Sequence, residues 1–270
     1  MSPKRKLTRV VLRLDAVGVG LPALRAIATL ARAMEAEFAA RFIEDRRLTD
    51  ALAFAVHAPG DDHKASLRHV ERNLRRQVES IAEHDKIAWS FDIAQCSGIF
   101  AAECVLHPDD LLAIALPEVE QMMGILREEI VTGLARTSGV LLMPRHQPVG
   151  NRPIVGMIMR EASLAEVVEA GVDIATRTRQ HLAFVVASEG DLLAQVRKAV
   201  AGLWSGPGAV ALHPVPTTEM EFLAAQVRSL RPRLVVAAPP KAIIEELLAR
   251  PRLLREVGAP ILLLPFEGAD

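Results

Sequence analysis

The 270-residue sequence contains no tyrosine, and aromatic residues make up only 4% of it. Single-stranded nucleic acids are held largely on rows of stacking rings, so this chain is a poor candidate for that task. Cysteine is almost absent: Cys96 and Cys104 are the two. They are not spaced as CxxC, and no nearby Cys or His completes a metal set. That usage suits a reduced compartment rather than a disulfide scaffold. A small buried hydrophobe is the plainer reading of each, with a redox role for Cys96, at a strand end, as the alternative. An excess of one charge is also missing, since 32 Lys and Arg meet 33 Asp and Glu. No global field favours nucleic acid or an acidic membrane. Only the start is basic (Lys4, Arg5, Lys6, Arg9), and we read it as a solvated tail. No apolar run reaches the roughly 18 residues that a membrane helix needs. Arg9, Arg13 and Asp15 interrupt any signal-peptide core. The expectation is a soluble, cytoplasmic protein with neither nucleic acid nor membrane as partner.

What is present is apolar and repetitive. Half of the residues are hydrophobic and mean hydropathy is +0.22, ample for one or two buried cores. One pattern is written twice. In the first pass Leu7–Leu14, Glu37–Glu44, Ile87–Ala94, Leu111–Leu116 and Val140–Met143 read as strands, with amphipathic helices between them. Pro22 suits the first turn of a helix, and Ser66–Asp85 carries Leu67, Val70, Leu74, Val78 and Ile81 on one side. In the second pass Ile154–Met159, Leu182–Ala187, Ala209–His213, Leu234–Ala238 and Ile261–Leu264 are strands. Ser163 is expected to cap the first helix of that pass, and Pro251 to break its last. Arg145–Arg152 holds Pro, Gly and Asn between charged ends and reads as a linker. The expected domains are residues 1–147 and 148–270. Strands alternating with helices predict an α/β fold of two tandem, open, parallel sheets with helices on both faces. The last strand of each pass is short, apolar and ended by proline. Left bare such an edge would aggregate, and pairing the two edges hides both.

Four stretches carry a family resemblance: Arg9–Asp15, a strand closing on Asp; Phe42-Ile-Glu-Asp45; Asp109-Asp-Leu-Leu-Ala-Ile-Ala115; and Gly258-Ala-Pro-Ile-Leu-Leu-Leu264. With them nearly the whole chain resembles the universal stress proteins in a tandem, two-copy form. The resemblance implies five parallel strands per copy in the order 3-2-1-4-5. It also implies an internal pseudo-dimer joined through the fifth strands, Val140–Met143 and Ile261–Leu264.

Many members of that family bind ATP on a loop after strand four that pairs glycines and ends in Gly-Ser or Gly-Thr. Glycine lets backbone N–H groups approach phosphates, and the following helix N-terminus favours negative charge. This chain departs from that pattern in both passes. After Leu116 it reads Pro117-Glu-Val-Glu-Gln-Met-Met-Gly124, with Glu128 and Glu129 near the place of the Gly-Ser. After Ala238 it reads Pro239-Pro-Lys-Ala-Ile-Ile-Glu-Glu246. Proline lacks the N–H that a phosphate uses, and glutamate repels a triphosphate. The expectation is therefore no cofactor, with ATP or AMP as the alternative. The residues left for a ligand are Asp15, Gly18, Gly20 and Arg160. In the family an Asp at the position of Asp15 commonly contacts adenosine. A tight turn explains Gly18 and Gly20 equally well, and solvation explains Arg160.

No other chemistry stands out. The eight histidines form no constellation: His63 and His69 lack the spacing that puts two ligands on one helical face. Ser205-Gly-Pro-Gly208 reads as a turn, and Met122 and Met123 as packing. The irregular stretch Asp45–Lys64 reads either as a lid on its own core or as a partner surface. No nucleophile, base or metal set recommends an enzyme. The sequence thus predicts a non-catalytic, stress-response or regulatory protein acting through protein contacts. The alternative is a small-molecule binder at the strand ends near Asp15. The protein partner is unidentified, and a further homodimer is left open.

Overall fold

A computed structural model describes residues 7–14, 20–45, 60–96, 106–116, 123–144, 150–187, 190–206 and 208–265. In the first half the strands are β1 (Arg9–Leu14), β2 (Glu37–Asp45), β3 (Trp89–Cys96), β4 (Asp110–Ala115) and β5 (Gly139–Met143). The helices between them are α1 (Leu21–Ala33), α2 (Gly60–Asp85) and α3 (Met123–Arg136). The second half places β6 (Ile154–Ile158), β7 (Leu182–Ala187), β8 (Ala211–Val215), β9 (Leu234–Ala237) and β10 (Ile261–Leu263) among α4 (Leu164–Thr178), α5 (Leu192–Leu203), α6 (Met220–Ser229), α7 (Lys241–Ala249) and α8 (Pro251–Val257).

The two sheets expected from the sequence run on as one ten-stranded sheet, in the order β3-β2-β1-β4-β5-β10-β9-β6-β7-β8. Each half keeps the 3-2-1-4-5 order, and every pair within a half is parallel. The join is antiparallel: Ile261 faces Leu142, Leu262 faces Leu141 and Leu263 faces Val140. Every residue of β5 and β10 is buried. Two short apolar edges thereby satisfy each other's backbone groups. The approach is close enough that a Cβ on Gly139 would stand 2.8 Å from the Leu263 carbonyl oxygen.

Strand alternation sorts the interior into two layers. In β9, Leu234 and Val236 turn to one face, and Val235 and Ala237 to the other. The first face packs Leu12, Phe38 and Phe184 under α1, α2, α4 and α5. The second packs Leu112, Ile114, Val185 and Val235 under α3, α6, α7 and α8. Both layers contain residues of both halves, so the cores do not stop at the join.

Several local expectations move. β8 begins at Ala211 and runs through Pro214, which a sheet accepts here because β8 is an outer strand. Ser163 stands at the N-cap of α4 but makes no capping bond. Its hydroxyl instead donates to the Arg160 carbonyl oxygen at 2.9 Å, closing a turn of 3-10 helix over Glu161–Ser163. Pro251 does separate α7 from α8. Cys104, the short helix expected near it, Met122, and most of Asp45–Lys64 lie outside the described residues, as do the side chains of Cys96 and Met123.

Candidate functional site

In open α/β sheets ligands bind beyond the carboxyl ends of the strands. In the first half that end is formed by β1 and β4, which lie side by side with Arg13 in register with Ile114. β1 alternates so that Val10, Leu12 and Leu14 join the layer under α1, which turns Arg13 to the opposite face. There the guanidinium meets the Glu129 carboxylate of α3 at 2.6 Å, with both side chains about 95% buried (6% and 4% exposed). Arg41 of β2 is in register with Arg13, and Asp92 of β3 with Arg41. Arg41 reaches Asp92 at 3.4 Å, and its Nη1 is buried without a hydrogen-bond partner among the described residues. A charged row, Asp92–Arg41–Arg13–Glu129, two cations between two carboxylates, therefore crosses one face of the sheet beneath the strand ends.

This row gives Glu129 a definite role. The residue that stands where the family's loop has Gly-Ser is turned inward as a counter-charge for Arg13, while Glu128 is exposed. Neutralised by Arg13, the buried carboxylate is held inside the sheet layer. The opposite ends of β1 and β4 hold a separate lock. Arg9 donates through Nε and Nη2 to the two oxygens of fully buried Asp110, at 2.8 and 2.6 Å. Asp110 also accepts the His107 backbone N–H at 2.8 Å. The bond to Asp110 raises the Arg9 guanidinium further above its ordinary pKa.

The equivalent end of the second half is apolar. β6 closes on buried Met157, Ile158 and Met159, with Met157 in register with Val185 and Ala237. β9 runs into Pro239 and Pro240, both buried, and α7 opens directly after them. The Ile243 and Ile244 N–H groups are already taken by the Pro240 carbonyl, at 2.9 and 3.1 Å. Neither proline has an N–H to offer an anion at this turn.

Of the ligand residues expected from the sequence, Asp15 and Gly18 lie outside the described residues. Gly20 is the N-cap of α1, and its carbonyl accepts the Ala23 and Leu24 N–H groups. Its φ of −65° is open to any residue, and among the described residues a Cβ there would meet Pro22 alone, at 3.7 Å, so neither strain nor close approach to them demands glycine. Arg160 is exposed at the end of β6, in the second half of the sheet. Arg13 and Arg41 are not among the residues expected from the sequence. Their signal was available, as single cations in otherwise apolar stretches, Val-Val-Leu-Arg-Leu and Ala-Ala-Arg-Phe-Ile. A charge in a strand covered on both faces requires a partner. Among the described residues, no cluster of three His, Cys, Asp or Glu could hold a metal ion.

The fold has counterparts among solved structures. A universal stress protein from Archaeoglobus fulgidus superposes with a TM-score of 0.66 at 10% identity, over 97% of this chain and 98% of that one. The fold is that of the universal stress proteins. A "Putative Universal Stress Protein from Pseudomonas aeruginosa UCBPP-PA14" gives 0.55 at 13% identity over 97% and 95% of the two chains. The cytoplasmic domain of a prokaryotic cation chloride cotransporter gives 0.60 at 14% identity, over 97% of both. No family model matches the sequence, and no curated protein matches it significantly. Among the described residues no helix is long and apolar enough to cross a membrane.

Proposed function

We propose that this chain is a non-catalytic, universal stress protein-like regulator of the cytoplasm that works through protein contacts and does not hold ATP in the manner of a glycine loop. The observation that carries the reading is the buried Arg13–Glu129 pair at the ends of β1 and β4. It holds Glu129, which the resemblance puts near the family's Gly-Ser, as a buried counter-charge, and this supports the reading. The proline turn after β9 supports the same reading for the second half. The test is mass spectrometry of the protein as purified, followed by calorimetry with ATP, ADP and AMP. No co-purified nucleotide and no binding heat are expected. A retained nucleotide, or micromolar ATP binding abolished by Asp15→Ala, would overturn the reading and favour a ligand at the first-half strand ends.

A further inference from the structure

A cavity of about 80 Å³ opens where the two halves meet, away from the strand ends discussed above. Thr29 and Leu30 of α1, Met143 of β5, Ile174 and Thr178 of α4, and Arg233 just before β9 line it. It exists only because the join brings a helix of each half to the same face of the sheet. Its lining is apolar apart from the two threonines and Arg233. Thr29 donates its hydroxyl to the Arg25 carbonyl at 2.8 Å, and Thr178 to the Ile174 carbonyl at 2.6 Å. Each hydroxyl proton is committed to its own helix, so neither is offered to the cavity.

Arg233 is different. It is half-buried, and its backbone N–H bonds to the Pro153 carbonyl at 2.8 Å. Among the described residues its guanidinium has no ion pair or hydrogen bond, and no acidic residue lines the cavity. A half-buried cation beside an apolar lining is complementary to one negative charge on an apolar body. The planar fork of arginine matches a carboxylate with two parallel bonds.

We propose that this cavity binds a small amphiphilic monocarboxylate, its carboxylate on Arg233 and its aliphatic body between α1 and α4. One cation and an apolar lining select a single charge over a phosphate, whose second charge would be buried without a partner. The volume is roughly half of that known to hold a benzene ring, so short chains fit and longer ones project outward. A ligand touching α1 and α4 bridges the halves, and binding stabilises their join. This site is independent of the nucleotide question above.

Hexanoate is the probe, with hexanol as the neutral control, followed through methyl NMR signals of the full chain. Hexanoate should shift the methyls of Leu30, Met143 and Ile174 and bind more tightly than hexanol. Arg233→Gln should weaken hexanoate by about ten- to a hundredfold, the range for a hydrogen bond to a charged group. Ala26→Leu adds bulk to another lining position and should block binding; if that variant does not fold, Arg233→Gln and the alcohol control decide. Absence of shifts at these methyls with millimolar hexanoate overturns the proposal. So does equal affinity for hexanol, or unchanged hexanoate affinity in Arg233→Gln.

Discussion

Arg13 and Arg9 occupy the same strand, yet they bury charge in different ways. Arg9 is 24% exposed and forks onto Asp110, whose carboxylate also takes a backbone N–H. Arg13 is almost fully enclosed and meets Glu129 of α3, the helix that covers the face Arg13 occupies. Desolvating two charges is expensive, and removing one of them leaves the other's cost in place. Glu129→Gln should therefore destabilise the protein by about 3 kcal/mol in urea unfolding. The double change Arg13→Met with Glu129→Leu should recover most of that loss, because neither charge then has to be buried. If the double variant is no more stable than Glu129→Gln alone, the pair is not the unit it is described as here.

Helix ends show how the elements are terminated. α1, α2, α4 and α6 are each followed by a left-handed residue that is not glycine: Glu35, Lys86, Arg179 and Arg231, with φ between 48° and 55°. After α1, α2 and α4 the next N–H reaches back five residues, Ala36 to Ala31, Ile87 to Ala82 and Gln180 to Ala175, as a Schellman ending requires. The geometry is the one glycine favours, and a side chain in it costs about 1–2 kcal/mol. Arg179→Gly, on the exposed end of α4, should raise stability by about 0.5–1 kcal/mol, after allowing for the greater freedom of glycine in the unfolded chain. A higher urea midpoint at unchanged slope is the expected record, and a lower midpoint would count against it. β8 makes the complementary point about strands. Pro214 argues against a strand in the sequence, but in an outer strand the missing N–H faces away from the ladder.

At the scale of the molecule, the join between β5 and β10 decides what kind of object this is. Its three antiparallel pairs are buried, and the core layers continue across it on both faces. A chain cut there would expose Gly139–Met143, an apolar edge five residues long. Residues 1–147 expressed alone should accordingly self-associate through that edge, giving a dimer or larger species in size-exclusion chromatography. A well-behaved monomer would mean that the join contributes little. Association that disappears when a charge replaces Leu141 would place the contact at β5.

The sequence by itself determined the alternation of strands and helices, the break at Pro251 and the joining of two proline-ended edges. The first two follow from local periodicity and backbone chemistry, which need no distant neighbour, and the third from the need to cover two bare apolar edges. It also carried the missing glycine loop, because glycine and proline act at their own positions. It left Arg13, Arg41 and Glu129 as scattered charges. Only the parallel register of β1 with β2, and the packing of α3 across that face, made them a row. The cavity at Arg233 was equally out of reach. Its lining comes from residues as far apart in the chain as Thr29 and Arg233, and the antiparallel join is what brings them together. Periodicity reports which face a residue takes, whereas the partner on that face is set by contacts between elements distant in the chain.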